Sequence, residues 1–424
     1  MVLEYIIKGG YDLIFPKVYK VRQKFNTNRL ENIPKEIEEQ LEIINFKSHI
    51  SKGMKIAVTA GSRGISNIDL IIKTVCQKLK ESDAEPFIVP GMGSHGGATD
   101  EGQLNVLKKL GITEKTMEVP IKSSMEVVKI GVTDNKAPVY IDKNAFSSDG
   151  IVVINRIKPH TDFSAKHESG LLKMVSVGLG KAKGCSAMHS YGLAETIPKA
   201  AAISLEKAPF LFGIAIIENS KDETYKIKAI LPQDFFHNDE VLLNEAKALT
   251  PKLPVDYLDI LIVKEIGKLY SGTCMDTKVI GRMKVFGEVE PEKPVIKKIV
   301  ALTLDDPTYG NALGIGLADI TTQTLVDSIK LDVTYANTIP TTYLERAKIP
   351  ITLSNDREAI KVALMTIGIV NPLDLKLAII KNTLQLEELF LTKAAIDSID
   401  KNIIELIDED GVDMKFNSEG KLLL

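Results

Sequence analysis

The chain has 424 residues, 44% hydrophobic and 26% charged, the proportions of a soluble globular protein with room for two domains. Its 53 Lys and Arg against 56 Asp and Glu leave a net charge of −3, so no basic field recruits nucleic acid or an anionic membrane. Cys76, Cys185 and Cys274 are too few and too scattered for a disulfide framework or a CxxC zinc site, and their simplest setting is a reducing cytoplasm.

The opening MVLEYIIKGGYDLIF mixes acidic and polar residues with apolar ones, unlike a signal peptide, and no later run approaches the roughly 20 apolar residues of a membrane span. Residues 55–60 (KIAVTA) then read as a buried strand ending in a Gly/Ser turn, with Ser66 or Asn67 capping the helix NIDLIIKTVCQKLKES. Residues 86–90 (PFIVP) form a second strand that runs into GMGSHGGA and a helix capped at Thr99 or Asp100. Strand, loop, helix, strand is the βαβ pattern of a parallel sheet, in which ligands bind at the carboxyl ends of strands. Arg63 and His95 both follow strands, so they are expected on one rim.

A hairpin, EVVKIGVTDNKAPVYI, and a very apolar strand, GIVVINRI, lead to His160. A lysine-bearing helical run follows, then strands near 211–218 and 225–231 and a helix near 235–248. Two prolines in Thr250–Pro254 mark a domain boundary, which predicts domains of 1–253 and 254–424. Beyond it the α/β pattern restarts, with strands YLDILIVKEIG and VIKKIVALTL, helices near 321–330 and 356–367, and a turn-rich tail from Ile403. The fold class is therefore α/β, two domains with mixed or parallel sheets flanked by helices.

Four of the six histidines, His95, His160, His167 and His189, lie between positions 95 and 189. Imidazole is a base, a proton shuttle and a metal ligand near neutral pH. GMGSHGG contains Gly91-x-Gly93-x-x-Gly96 between a strand and a helix, the context of dinucleotide binding; a tight βα turn needs glycines equally. Arg63 precedes a helix start, where a guanidinium and backbone N–H groups suit a carboxylate or phosphate, and a solvated loop arginine is the plain alternative. Lys173, in SGLLKMVSVGLGK, is either a snorkelling surface residue or a buried functional amine. His189 lies sixteen residues on, too far for one local helical face, and no zinc motif matches. In the second half, SGTCMDTKVIGRMK (271–284) carries Asp276, Lys278, Arg282 and Lys284, either a charged surface loop or cations facing a cleft.

Together these residues resemble the nickel-pincer lactate racemase family, over most of the chain's length. The family has an SGGxK-like motif whose lysine covalently holds the pincer nucleotide, and a histidine sixteen residues later that ligates nickel; Lys173 and His189 match in type and spacing. The resemblance implies nickel as the metal on His189, and as cofactor the nickel-pincer nucleotide (pyridinium-3-thioamide-5-thiocarboxylic acid mononucleotide) carried covalently on Lys173, with Gly93 and Gly96 beside it. It implies substrate contacts from Arg63, Arg282 and Lys284, His95 and His160 as the catalytic pair, and a site in the cleft between the domains. His167 competes with His160 for the second role, because thirteen positions separate His160 from Lys173, three more than in the lactate enzyme.

The pattern DxTRP is AGSRG here, Gly281 stands where the family has a substrate-contacting glutamine, and the chain has no Trp. The implied function is a cytoplasmic isomerase, a racemase or epimerase of a 2-hydroxy acid more polar or larger than lactate. Its implied partners are that substrate and the enzymes that mature the cofactor, with no nucleic acid and no membrane; homo-oligomerisation stays open. The alternatives are an NAD(P)-dependent oxidoreductase using the GxGxxG loop and a non-catalytic small-anion-binding protein.

Overall fold

The structure, a computed structural model, describes residues 14–62, 64–161, 163–286, 289–305, 308–368 and 370–424. The chain divides between Thr250 and Pro251, at the head of the proline-rich stretch, into a unit of residues 26–250 and a unit of 251–424 joined by the start of the chain. Strand β1 (Lys17–Gln23) belongs to the second unit, because its backbone pairs run to Leu391, Leu406 and Asp413. An N-terminal domain of 1–253 therefore gives up its first strand: hydrogen-bonded pairing, not sequence order, assigns it.

In the unit 26–250 the strands are β2 (Lys55–Ala60), β3 (Glu85–Pro90), β4 (Val127–Val132), β5 (Pro138–Asp142), β6 (Gly150–Arg156), β7 (Phe210–Glu218) and β8 (Thr224–Ile230). The main sheet has the order β3-β2-β6-β7-β8, parallel except for the edge strand β8, while β4 and β5 form the expected hairpin as a separate ribbon. The inner strands are unbroken apolar runs because both faces are covered. Ala57, Ile151 and Val153 face one core, and Ile56, Val58 and Val152 face the other.

Six longer helices flank the sheet: α1 (Ile33–Ile43), α2 (Ile68–Glu81), α3 (Asp100–Lys109), α4 (Lys181–Ser190), α5 (Leu193–Lys207) and α6 (Phe235–Leu249). Thr99 caps α3 by accepting from the Gly102 N–H at 3.1 Å, as expected. Asn67 heads α2 but does not cap it; its amide donates to Thr224 Oγ1 instead, at 3.0 Å. The parallel register, Ala60 beside Pro90 and Val58 beside Val152, opens the segments after β2, β3 and β6 at one edge of the sheet.

The second unit contains β9 (Tyr257–Ile266), β10 (Val295–Leu304), β11 (Ile320–Thr322), β12 (Ile351–Leu353), β13 (Leu377–Ile380), β14 (Glu388–Leu391), β15 (Ile404–Leu406) and β16 (Val412–Asp413). Its sheet has the order β12-β11-β10-β9-β13-β14-β1-β15, with β16 also on β1; β9 to β13 are parallel and the rest antiparallel. Residues 321–330, expected as a helix, open with the end of β11, and helix covers only Gln323–Asp327. Thr321 and Thr322 donate side-chain hydrogen bonds to carbonyls of β10, which holds them in the sheet. Among the described residues no helix is long and apolar enough to cross a membrane.

Gln23 shows how β1 is secured: its buried amide donates to Leu386 O at 2.7 Å and Lys252 O at 3.1 Å. Gln23→Leu leaves both carbonyls unpaired and should destabilise this unit by about 1–3 kcal/mol. Urea unfolding followed by hydrogen exchange, unit by unit, checks this; loss of protection in β2 and β6 but not in β14 would contradict it.

Candidate active site

The chain leaves β3 at Pro90 and turns through GMGSHGG. A Cβ on Gly91 would come within 2.5 Å of Met174 Sδ, and one on Gly96, at φ +67, would lie 2.6 Å from the Gln103 backbone nitrogen. Gly93, at φ +58, donates its N–H to Gly178 O at 3.0 Å. Backbone conformation and close packing thus account for Gly93 and Gly96, given above as cofactor contacts. The same turn leaves His95 exposed and brings Ser94 Oγ to 3.6 Å from Cys185 Sγ on α4. Burial pushes the Cys185 thiol up, but hydrogen bonds with His189 and Ser94 outweigh it, and the net direction is down. His189, Cys185 and the His95 loop are therefore neighbours.

Lys173 stands on a short turn, Leu171–Lys173, at the head of a helical stretch. Asn155, near the end of β6, donates to Gly170 O at 2.7 Å. Asp239, from α6, accepts the N–H groups of Leu171 and Leu172 at 3.0 and 2.9 Å and so supplies the cap that Gly170 cannot. Burial raises the Asp239 carboxyl from 3.8 to about 6, against the lowering effect of those two donors. After Lys173 the helix widens into a π turn, Met174–Gly178, closed by Leu179 N–H to Met174 O at 2.9 Å. It then breaks at Lys181, which has a left-handed φ of 54°. A straight α-helix would turn His189 about 160° away from Lys173 over sixteen residues. The π turn and the break remove that constraint.

Glu168, whose side chain is fully buried, ties His160 and Ala165 in the loop after β6. Its carboxylate accepts the His160 N–H at 2.6 Å and the Ala165 N–H at 3.2 Å, and pairs with Lys247 at 2.7 Å. His160 stacks on Phe163 with centroids 4.4 Å apart. His167 sits edge-on to Phe236, 5.4 Å away, with Nδ1 buried and unpartnered, and burial pushes its pKa down. Arg63 lies outside the described residues.

In the second unit, Arg282 is committed to internal contacts: it pairs with Asp319 at 2.9 Å and donates to Leu317 O and Ile296 O. That guanidinium ties strand to loop, and a substrate role for it, expected above, is at odds with those bonds. Lys284 donates to Gly316 O at 2.7 Å, and burial followed by Arg282 pushes its amine down. Ser271 and Thr273 are buried against each other, with Thr273 Oγ1 donating to Met275 O. Among the described residues no three His, Cys, Asp or Glu side chains gather as a metal-binding group.

Asp239, Glu168 and Lys181 were not singled out from the sequence. A buried carboxylate that serves a distant backbone has no local signature; Asp239 is 68 residues from Leu171. Asp239 yields a pH test. Its folded pKa of about 6 lies above its ordinary 3.8, so its stabilising contribution is full below about 3.8 and is lost as pH rises through about 6. Asp239→Asn lacks this titration. The stability difference in favour of the variant should grow from pH 4 to 6 and level off above. Urea unfolding at four pH values measures it, and parallel profiles would refute the shift.

Residues 15–200 match the family profile of the lactate racemase N-terminal domain. Among curated proteins none matches this chain significantly. Among solved structures, the lactate racemase apoprotein from Thermoanaerobacterium thermosaccharolyticum aligns over 86% of this chain and 94% of its own, with a TM-score of 0.50 and 14% identity. At that identity the likeness speaks for the two-unit α/β fold. The glycine loop with His95, the segment of His160 and the stretch from Lys173 to His189 all fall inside residues 15–200, the part of the chain that matches the lactate racemase N-terminal domain.

Proposed function

We propose that this chain inverts C2 of a 2-hydroxy acid with a nickel-pincer nucleotide tethered to Lys173. The observation that supports it most is the bond from Gly93 to Gly178, which sets the His95 loop on the helical stretch bearing Lys173 and His189. The donor set suits the group. Lys173 offers a half-buried amine on a capped turn, and His189 an exposed imidazole at the end of α4. When bound, the group supplies a reversible acceptor for the hydride at C2.

The remaining work falls to side chains. Arg63, directly after β2 in sequence, takes the substrate carboxylate. His95 and His160 serve as the two bases: one removes the hydroxyl proton, and the other returns a proton to the oxygen when the opposite face is reduced. His160 is favoured over His167, because the His167 ring packs on Phe236 with its Nδ1 buried. The glycines of the GxGxxG loop are used in packing, which weighs against free NAD(P).

Intact mass after expression with and without cofactor-maturation enzymes tests the tether. An adduct on Lys173 is expected only with them. Saturable NAD(P) binding by unmodified protein, or anion binding without turnover, would replace this reading. In loaded enzyme His95→Ala and His160→Ala should each cut racemisation by about 100-fold or more, and His167→Ala by far less. A chain sensitive only at His167 moves the second base by seven residues.

The absence of Trp and the glycine at 281 favour a substrate more polar than lactate. Aldonates are the first choice and hydroxy diacids such as malate the second. A panel of enantiopure 2-hydroxy acids decides this, and fastest turnover of lactate would overturn it.

A further inference from the structure

Lys181 is a lysine with no exposed surface, and the proposed chemistry gives it no task. Its ammonium donates to Pro90 O at 2.6 Å and Gln103 Oε1 at 3.0 Å, and lies 3.2 Å from Asp142 Oδ2. Two of these are hydrogen bonds, and the third is an ion-pair contact to a buried carboxylate oxygen that has no hydrogen-bond partner among the described residues. Gln103, also fully buried, carries the chain of contacts onward: its amide nitrogen reaches Gly93 O at 3.0 Å and His95 O at 3.4 Å. Asp142, at the end of β5, is held on its other oxygen by the Ala145 N–H at 2.8 Å.

We infer that Lys181 is a positioning residue: through Asp142, Gln103 and Pro90 it holds the loop of His95 in register with the helical stretch of Lys173 and His189. The carbonyls of Pro90, Gly93 and His95 are all gripped by this one group of side chains. Lys181 stands midway along the stretch, eight residues from Lys173 and eight from His189. Its left-handed backbone is the point where the stretch changes direction, so the anchor and the bend coincide.

Stability is a weak explanation for such a pair. Burying two charges is costly, and well-packed apolar side chains of similar volume usually serve as well. Burial pushes the Asp142 carboxyl up and the Lys181 amine down, and their attraction opposes both. What apolar substitutes cannot do is hold three loop carbonyls at once. The catalytic consequence rests on His95 being a base, as proposed above. The structural part does not.

The test uses the full chain with Lys181→Met/Asp142→Leu, which removes both charges together, and separately Gln103→Leu, which spares the ion pair. In unloaded protein, amide exchange at residues 91–98 should rise by about ten-fold or more in both variants while exchange in β2 and β6 stays native. In loaded enzyme the Lys173 adduct should form as in wild type, with kcat down about 10- to 100-fold and KM little changed, because a small displacement of a base is felt in the transition state. A folded variant with native exchange at 91–98 overturns the inference. If the double variant does not fold, Gln103→Leu decides alone. If wild type acquires no adduct and turns nothing over, the proposed function fails, and the exchange measurement still decides whether Lys181 holds the loop.

Discussion

The parallel register of β2, β3 and β6 is the constraint on which the candidate site depends. Strands that run the same way release their chains at the same edge, so three separate segments are delivered together. The segment after β3 presents His95 and the one after β6 leads to His160. An antiparallel arrangement of the same strands would send alternate segments to opposite edges. The helices over both faces make the parallel form stable, because each strand can then be apolar throughout.

Register brings the segments to one edge, and buried carboxylates give them shape. Asp239 binds the backbone at the head of the lysine turn, Glu168 binds the backbone N–H of His160, and Asp142 holds the ammonium that grips the glycine loop. Asp239 acts on the main chain of a distant element, Glu168 on its own loop and Asp142 on a buried ammonium and the adjoining turn. A buried acid of this kind satisfies N–H groups that would otherwise cost about 1–3 kcal/mol each. Such groups specify one loop conformation more sharply than apolar contacts do, since hydrogen bonds have direction.

The second unit uses its cations differently. Arg282 and Lys284 look in sequence like a cationic patch, yet both side chains donate to main-chain carbonyls of their own unit. Buried backbone carbonyls need partners, and these two cations supply them. Residue type announces a charge and not its use.

Local pattern determined much of this protein. The strands at 55–60 and 150–156, the hairpin, the helix after Thr99 and the break near residue 250 follow from apolar runs, caps and prolines, whose causes lie within a few residues. The spacing of Lys173 and His189 is a matter of resemblance to a family and not of local pattern. Tertiary structure alone decided the rest. Strand β1 joined the far unit because its hydrogen-bonding edge is matched by β14 and β15, more than 360 residues away. The sequence favours His160 over His167 by its place after a strand; what each ring touches, Phe163 for one and Phe236 for the other, only the fold decides. The helical stretch bends at Lys181, whose ammonium has partners on β3, α3 and β5 that no neighbouring residue could supply. Periodicity records what a segment needs locally, while partners chosen across the fold leave no trace in the spacing around either residue.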